Sequence, residues 1–282
     1  MQKIKIDGQR YNIPTAYSEC NVLTAKKALL VWDVQDKEFK ELIQENPEEI
    51  EEGVWINFLI NWVVAVTGAK EDIVKRIHFV DLNVIWNSTQ FILSTPDQFL
   101  TIDKLRGVSI TDSIKTLSGV EIIGGEASYE QWSLMNQLTV LMNEAKESRR
   151  LDLLKKMLSV IYPVKDESKE DLNKRLKDYD TLSLLQLYSG WFFFCGVVKW
   201  VASSYPTLKE QPNSGAVKGS NKSKPKQNAV VKKYREVNIW EIYAHNLAKA
   251  NVLAVGFDEI MKLPMMKVLK HIEIEKSFEH EY

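Results

Sequence analysis

The residues best suited to chemistry are few: two cysteines, Cys20 and Cys195, and four histidines, His78, His245, His271 and His280. A structural zinc site needs four such ligands at close, recurring spacings. No histidine stands at metal spacing from another or from either cysteine. A reactive thiol needs a cationic, partly exposed setting. Cys195 instead sits in WFFFCG, where apolar surroundings raise its pKa and quiet it. Gly124-Gly125 is an isolated pair best explained by a turn, and neither a Walker loop nor a dinucleotide fingerprint occurs. Glu279-His280-Glu281 reads as a fraying end, and ENPEEIEE as solvated helix ends. These residue types point to no catalytic residue, no metal and no cofactor. The expectation is a non-enzymatic protein that acts through binding.

The elements that would position a binding surface come next. With 282 residues, the chain can bury roughly three quarters of its unfolded surface and needs no disulfide to fold. Two cysteines far apart in sequence suit a reduced compartment. A formal net charge of −1 argues against global attraction to nucleic acid or acidic lipid. MQKIKIDGQRY lacks the apolar core of a secretory signal. TLSLLQLYSGWFFFCGVVKWVA, residues 181–202, is long enough to span a bilayer. Ser183, Gln186, Ser189 and Lys199 interrupt it, and a lysine inside hydrocarbon costs roughly 2.5–3.5 kcal/mol on insertion scales. A buried helix is the preferred reading, with no membrane partner.

KIKIDGQRYNIP places Asp7-Gly8 between two alternating runs, the pattern of a two-residue type I′ hairpin. Pairing Ile6 with Gln9 and Ile4 with Tyr11 puts Ile4, Ile6, Tyr11 and Ile13 on one face. A lone hairpin is marginal in water, so that face must lie on other elements. AKKALLVWD, DKEFKELIQ and VWINFLINWVVAVTG read as helices with apolar stripes that could supply them.

EDIVKRI at 71–77 resembles EDLNKRL at 170–176, and each is followed at equal distance by an aspartate, Asp81 or Asp180. Apolar helices flank both. FLTID and GVEIIGG, around 99–125, could form a second hairpin with a longer loop. The fold class expected is α+β, mainly α-helical. Two related hairpin-plus-helices units would cover residues 1–97 and 98–206, though chance similarity of short amphipathic helices is the plainer alternative.

Between Glu210 and Glu236 no acidic residue occurs, while Lys218, Lys222, Lys224, Lys226, Lys232, Lys233 and Arg235 carry positive charge. Such composition predicts a flexible basic linker over 207–236, reaching roughly 25–30 Å as a coil. A basic arm could contact phosphates, but only Tyr234 offers stacking, so nucleic acid is the weaker reading. Beyond it, NIWEIYAHNLAKANVLA puts Ile239, Ile242, Tyr243, Leu247 and Val252 or Leu253 at helical spacings, with Gly256 as the stop. Asp258 could cap FDEIMKL, and Pro264 could start a last helix. This helical C-terminal segment, 237–282, is too small to bury its own apolar residues. Met261, Met265 and Met266 are either core filling or an adaptable contact surface. With Trp240, Tyr243 and Phe257 they are the candidate partner-binding residues.

The layout of IKIDGQRYNIP, a helical body, a low-complexity linker and GFDEIMKLPMMKVL resembles the tail assembly chaperones of long-tailed bacteriophages. The resemblance covers the whole chain in arrangement, on short motifs. The apparent duplication and the LYSGWFFF helix depart from the simplest members. The resemblance implies a helical N-terminal part joined to a short extension, often by programmed frameshift. It implies a chaperone in the host cytoplasm that coats the tape measure protein before the tube polymerises, its extension recruiting tail tube subunits. Trp55, Trp62, Trp86 and Trp191 would then line or support an apolar groove, although helix-spaced aromatics are usually core and most of these are expected there. The alternatives are a structural virion protein of the tail or neck and a basic-arm nucleic-acid binder. Self-association is left open.

Overall fold

A computed structural model describes residues 1–6, 8–96, 127–164, 166–209, 238–250 and 252–279. The expected second hairpin at 99–125 and most of the linker, residues 210–236, lie outside the described residues, as does the Gly124-Gly125 pair. Over the described residues the chain is mainly helical, with one small antiparallel sheet.

That sheet is the N-terminal hairpin, β1 (Gln2–Ile6) and β2 (Gln9–Ile13). Ile6 pairs with Gln9 and Ile4 with Tyr11, the register expected from the sequence. Gly8 has φ 83°, a left-handed conformation that suits the second centre of a type I′ turn; Asp7 is outside the described residues. Ile6 and Ile13 on the shared face are buried.

Helix α1 (Val22–Asp33) begins at Asn21, whose side chain accepts from Thr24 N–H at 2.7 Å. Helix α2 (Lys37–Glu45) begins at Asp36 in the same way, through Phe39 N–H at 2.8 Å. Helix α3 (Glu52–Thr67) stops at Gly68, which adopts φ 70° as a left-handed C-cap. Then follow α4 (Glu71–Val74) and α5 (Phe79–Thr89). Later in the chain come α6 (Tyr129–Asn143), α7 (Glu147–Ile161), α8 (Lys169–Asp178) and α9 (Leu184–Ser204). The chain closes with α10 (Ile239–Lys249), α11 (Phe257–Lys262) and α12 (Met265–Glu279).

The described residues gather into two compact units that are not consecutive in sequence. The first combines residues 1–96 with 145–190, and the second combines 127–144 with 191–209 and the C-terminal helices. This grouping differs from the expected division at residue 97. The physical reason is the fit of α7 onto α1 inside the first unit. The Lys26 ammonium holds the Asp152 carboxylate at 2.7 Å there. Asp33 accepts from Glu147 N–H at 3.1 Å and Ser148 N–H at 3.0 Å, so the end of α1 caps the start of α7. The matched letters also take different local forms. EDIVKRI yields only the four residues of α4, whereas EDLNKRL lies in the ten-residue α8.

The core of the first unit is an aromatic cluster from α1, α2, α3 and α5. Trp62 and Trp86 meet edge-on at 4.8 Å, Phe58 and Trp86 at 5.1 Å, and Trp55 stacks on Phe58 at 5.4 Å. The second unit is helical, with Tyr129, Trp132, Leu247, Ile260, Val268, Leu269 and Ile272 among its buried residues. Helix α9 is long and apolar enough to cross a membrane by length and composition. Within the fold its Leu184, Leu187, Phe192, Phe194, Val197 and Val201 are buried, while Lys199 is exposed.

Candidate functional site

Five of the six residues expected to contact a partner keep some exposure, and one does not. Met265 is 2% exposed and packs in the core of the second unit, so it is corrected from contact residue to core residue. The reason is local. Met265 opens α12, and its N–H donates to the Ala127 carbonyl at 2.8 Å, which draws the start of α12 against the start of α6. Trp240, Tyr243, Phe257, Met261 and Met266 are half-buried.

These helices are docked, not free. Helices α10, α11 and α12 all pack on α6. The Tyr129 hydroxyl donates to the Trp240 carbonyl at 2.8 Å, and burial pushes the Tyr129 pKa well above its ordinary value. The Trp240 ring meets Trp132 edge-on at 5.2 Å and lies 5.7 Å from Tyr243. Gln137 donates to Glu241 at 2.6 Å, and the Lys276 ammonium stands 4.9 Å over the Tyr243 ring. Phe257 meets His245 edge-on at 5.9 Å. Helix α10 ends at Lys249, short of the Gly256 stop, and leaves Val252 41% exposed. Gly256 instead precedes α11, where Glu259 accepts its N–H at 2.9 Å; Asp258 lies in the first turn.

Most of the tryptophans expected to line or support a groove are core residues. Trp55, Trp62 and Trp86 are buried in the first unit, where two of their indoles are also satisfied. Trp62 donates to Thr89 at 2.8 Å and Trp55 to Asn83 at 3.2 Å. They support the fold and do not line a surface. Trp191 is half-buried in the second unit.

One accessible apolar surface of the first unit lies on α1. Its inner face buries Val22, Ala25, Ala28, Leu29 and Trp32. Its outer face leaves Leu23 44%, Leu30 49% and Val34 76% exposed. Beside them runs an open groove of about 520 Å³ between α1 and α3, lined by Lys27, Val31, Val34, Gln35, Asn61 and Val64. Among the described residues, Lys27 is its one ionisable lining group. Its walls are mainly the two helices, closed at one end by Gly68 and Ala69 just past the end of α3. A signal for this surface existed in VLTAKKALLVWD, which is apolar on more of its circumference than one core-facing stripe requires.

Reactive chemistry finds little support in the thiols. Burial pushes the Cys20 thiol up to about 12 and also raises that of Cys195. Among the described residues, no three His, Cys, Asp or Glu side chains gather where they could hold a metal ion. Comparisons with protein families, with characterised proteins and with solved structures yield no match to this chain.

Proposed function

We propose that this chain is a non-enzymatic tail assembly chaperone of a long-tailed bacteriophage, acting in the host cytoplasm. It covers apolar helical segments of the tape measure protein until the tail tube encloses them. The observation that carries the reading is the exposed Leu23, Leu30 and Val34 stripe of α1 beside the α1–α3 groove. A helix-walled groove with an apolar rim suits an amphipathic helix, which reads such a surface through side chains at helical spacing. Three partly exposed aliphatic anchors give weak, reversible capture, as a factor that must leave requires.

The half-exposed aromatics and methionines of the second unit, Trp240, Tyr243, Phe257, Met261 and Met266, then form the surface that recruits tail tube subunits. In this reading the recruiting surface is the docked assembly of α6 with α10–α12, and residues 207–236 serve as the linker leading into it. The proposal retains two related hairpin-plus-helices units. Its support is the resemblance of EDIVKRI at 71–77 to EDLNKRL at 170–176, each followed at equal distance by an aspartate.

Coexpression with the tape measure product of the same genome tests the proposal. The wild-type chain should keep that product soluble and co-purify with it. Leu30→Glu with Val34→Glu should abolish both effects while leaving the melting temperature within a few degrees, since exposed substitutions usually stay within about 0.5 kcal/mol. An insoluble tape measure protein alongside the wild-type chain, with no complex, would overturn the reading. Abundant chain in purified particles would favour a structural virion protein instead.

A further inference from the structure

The N-terminal hairpin carries a second surface of a different kind. In a two-residue hairpin the residues flanking the turn exchange both main-chain bonds, and bonded and unbonded pairs then alternate along the strands. The observed register therefore commits Gln2, Ile4 and Ile6 to β2 and turns the main-chain N–H and C=O of Lys3 and Lys5 outward. Strand β2 packs on α3. A groove of about 480 Å³ runs along β1, lined by Gln2, Ile4, Lys5 and Ile6 but by no residue of β2. Its opposite wall comes from α4, α5 and the turn between them, where Ile73, Ile77 and Val84 are apolar and Arg76, His78 and Asp81 are polar. Val84 is 50% exposed and neighbouring Val80 70%.

We infer that this groove binds an extended segment of a partner protein, alternating apolar and acidic, which adds as a third strand beside β1. Along this groove the outer edge of β1 offers main-chain donors and acceptors, the chemistry of strand addition. Side chains of the added strand alternate between two faces. On one face its cross-strand neighbours are Ile4 and Ile6, with Ile73, Ile77 and Val84 opposite, so apolar residues fit. On the other its neighbours are Lys3 and Lys5, so carboxylates form favourable cross-strand pairs. A second copy of this chain fits badly, because pairing β1 with β1 sets Lys3 and Lys5 against lysines.

The inference does not rest on the tape-measure reading, and its test contains no tape measure protein. The probe is a fluorescent seven-residue peptide alternating glutamate and valine, with a lysine–valine peptide of equal length as control, titrated into the full chain by anisotropy. The glutamate peptide should bind saturably and at least tenfold more tightly than the lysine peptide. Lys5→Pro deletes one outward N–H while sparing the hairpin bonds, as edge strands tolerate. It should weaken binding at least tenfold with little change in melting temperature. Lys3→Glu with Lys5→Glu, at exposed positions, should reverse the peptide preference and covers the case in which the proline variant fails to fold. Absence of saturable binding, unchanged binding to Lys5→Pro, or a wild-type dimer that Lys5→Pro dissociates would each overturn the inference.

Discussion

Asn21 and Ser183, 162 positions apart in sequence, form an antiparallel bridge that joins the starts of α1 and α9. Val22 N–H donates to the Leu182 carbonyl and Leu184 N–H to the Cys20 carbonyl, both at 2.8 Å. The second unit repeats the device at Ser128 and Pro264, with Tyr129 N–H on Leu263 at 2.9 Å and Met265 N–H on Ala127 at 2.8 Å. First-turn amides lack intrahelical acceptors, and these bridges provide them. The amides of Val22, Leu184, Tyr129 and Met265 should exchange with deuterium at least about tenfold more slowly than exposed first-turn amides, one decade being about 1.4 kcal/mol of protection. Equal rates would show that the bridges open freely in solution.

Two buried indoles separate packing from hydrogen bonding. Trp62 is fully buried and donates to Thr89, itself fully buried. Trp132 is also buried, but its Nε1 has no partner among the described residues. Trp62→Phe loses its bond to Thr89, whose hydroxyl still donates to the Ile85 carbonyl at 2.8 Å, so it should cost about 0.5–1.5 kcal/mol more in urea unfolding than Trp132→Phe, which removes a donor without a partner among the described residues. Equal losses would mean that ring volume alone sets the cost.

Lys155 is a buried cation, 7% exposed, held by Asp180 at 2.8 Å and Asp152 at 3.2 Å. Lys155→Met keeps the aliphatic stem and removes the charge. It should cost about 1–3 kcal/mol, less than the ~3–5 of a fully buried broken pair, because Asp180 retains contact with water. Burial pushes the Asp152 carboxyl up, but hydrogen bonds from Lys26 and Lys155 outweigh it and hold the pKa below the ordinary value. A depressed native pKa gives stability that is present above about pH 4 and lost as pH falls through the native value. Asp152→Asn should therefore lower stability at neutral pH and flatten its decline below pH 4, as read by thermal melts across pH. An unchanged acid limb would remove Asp152 as a contributor.

Docking of the C-terminal helices sets a contrast among neighbouring methionines. Met265→Ala empties a core position and should cost about 2–5 kcal/mol, whereas half-buried Met261 and Met266 should tolerate alanine with losses below about 1 kcal/mol. Equal, small effects at all three would mean that α12 is loosely held.

Features set by a few adjacent residues were legible in the sequence. The hairpin register followed from alternation around Gly8, the end of α3 from Gly68, and the quiet setting of Cys195 from its apolar neighbours. Ser128 with Gln131 and Ser183 with Gln186 carry the S-x-x-Q capping pattern, a start signal for α6 and α9 contained within each short stretch of sequence. What only the tertiary structure decided depends on choices between equally apolar surfaces. Periodicity gives a helix an inner face but not a partner. It could not say that α7 would dock on α1 through Asp33 and Lys26, or that Met265 would be sealed while Met261 and Met266 stayed accessible. Leu30 and Val34 are as apolar as Leu29 and Trp32. Their exposure was decided by where α3 and α7 take up space around α1, a long-range packing outcome that no short stretch of sequence contains.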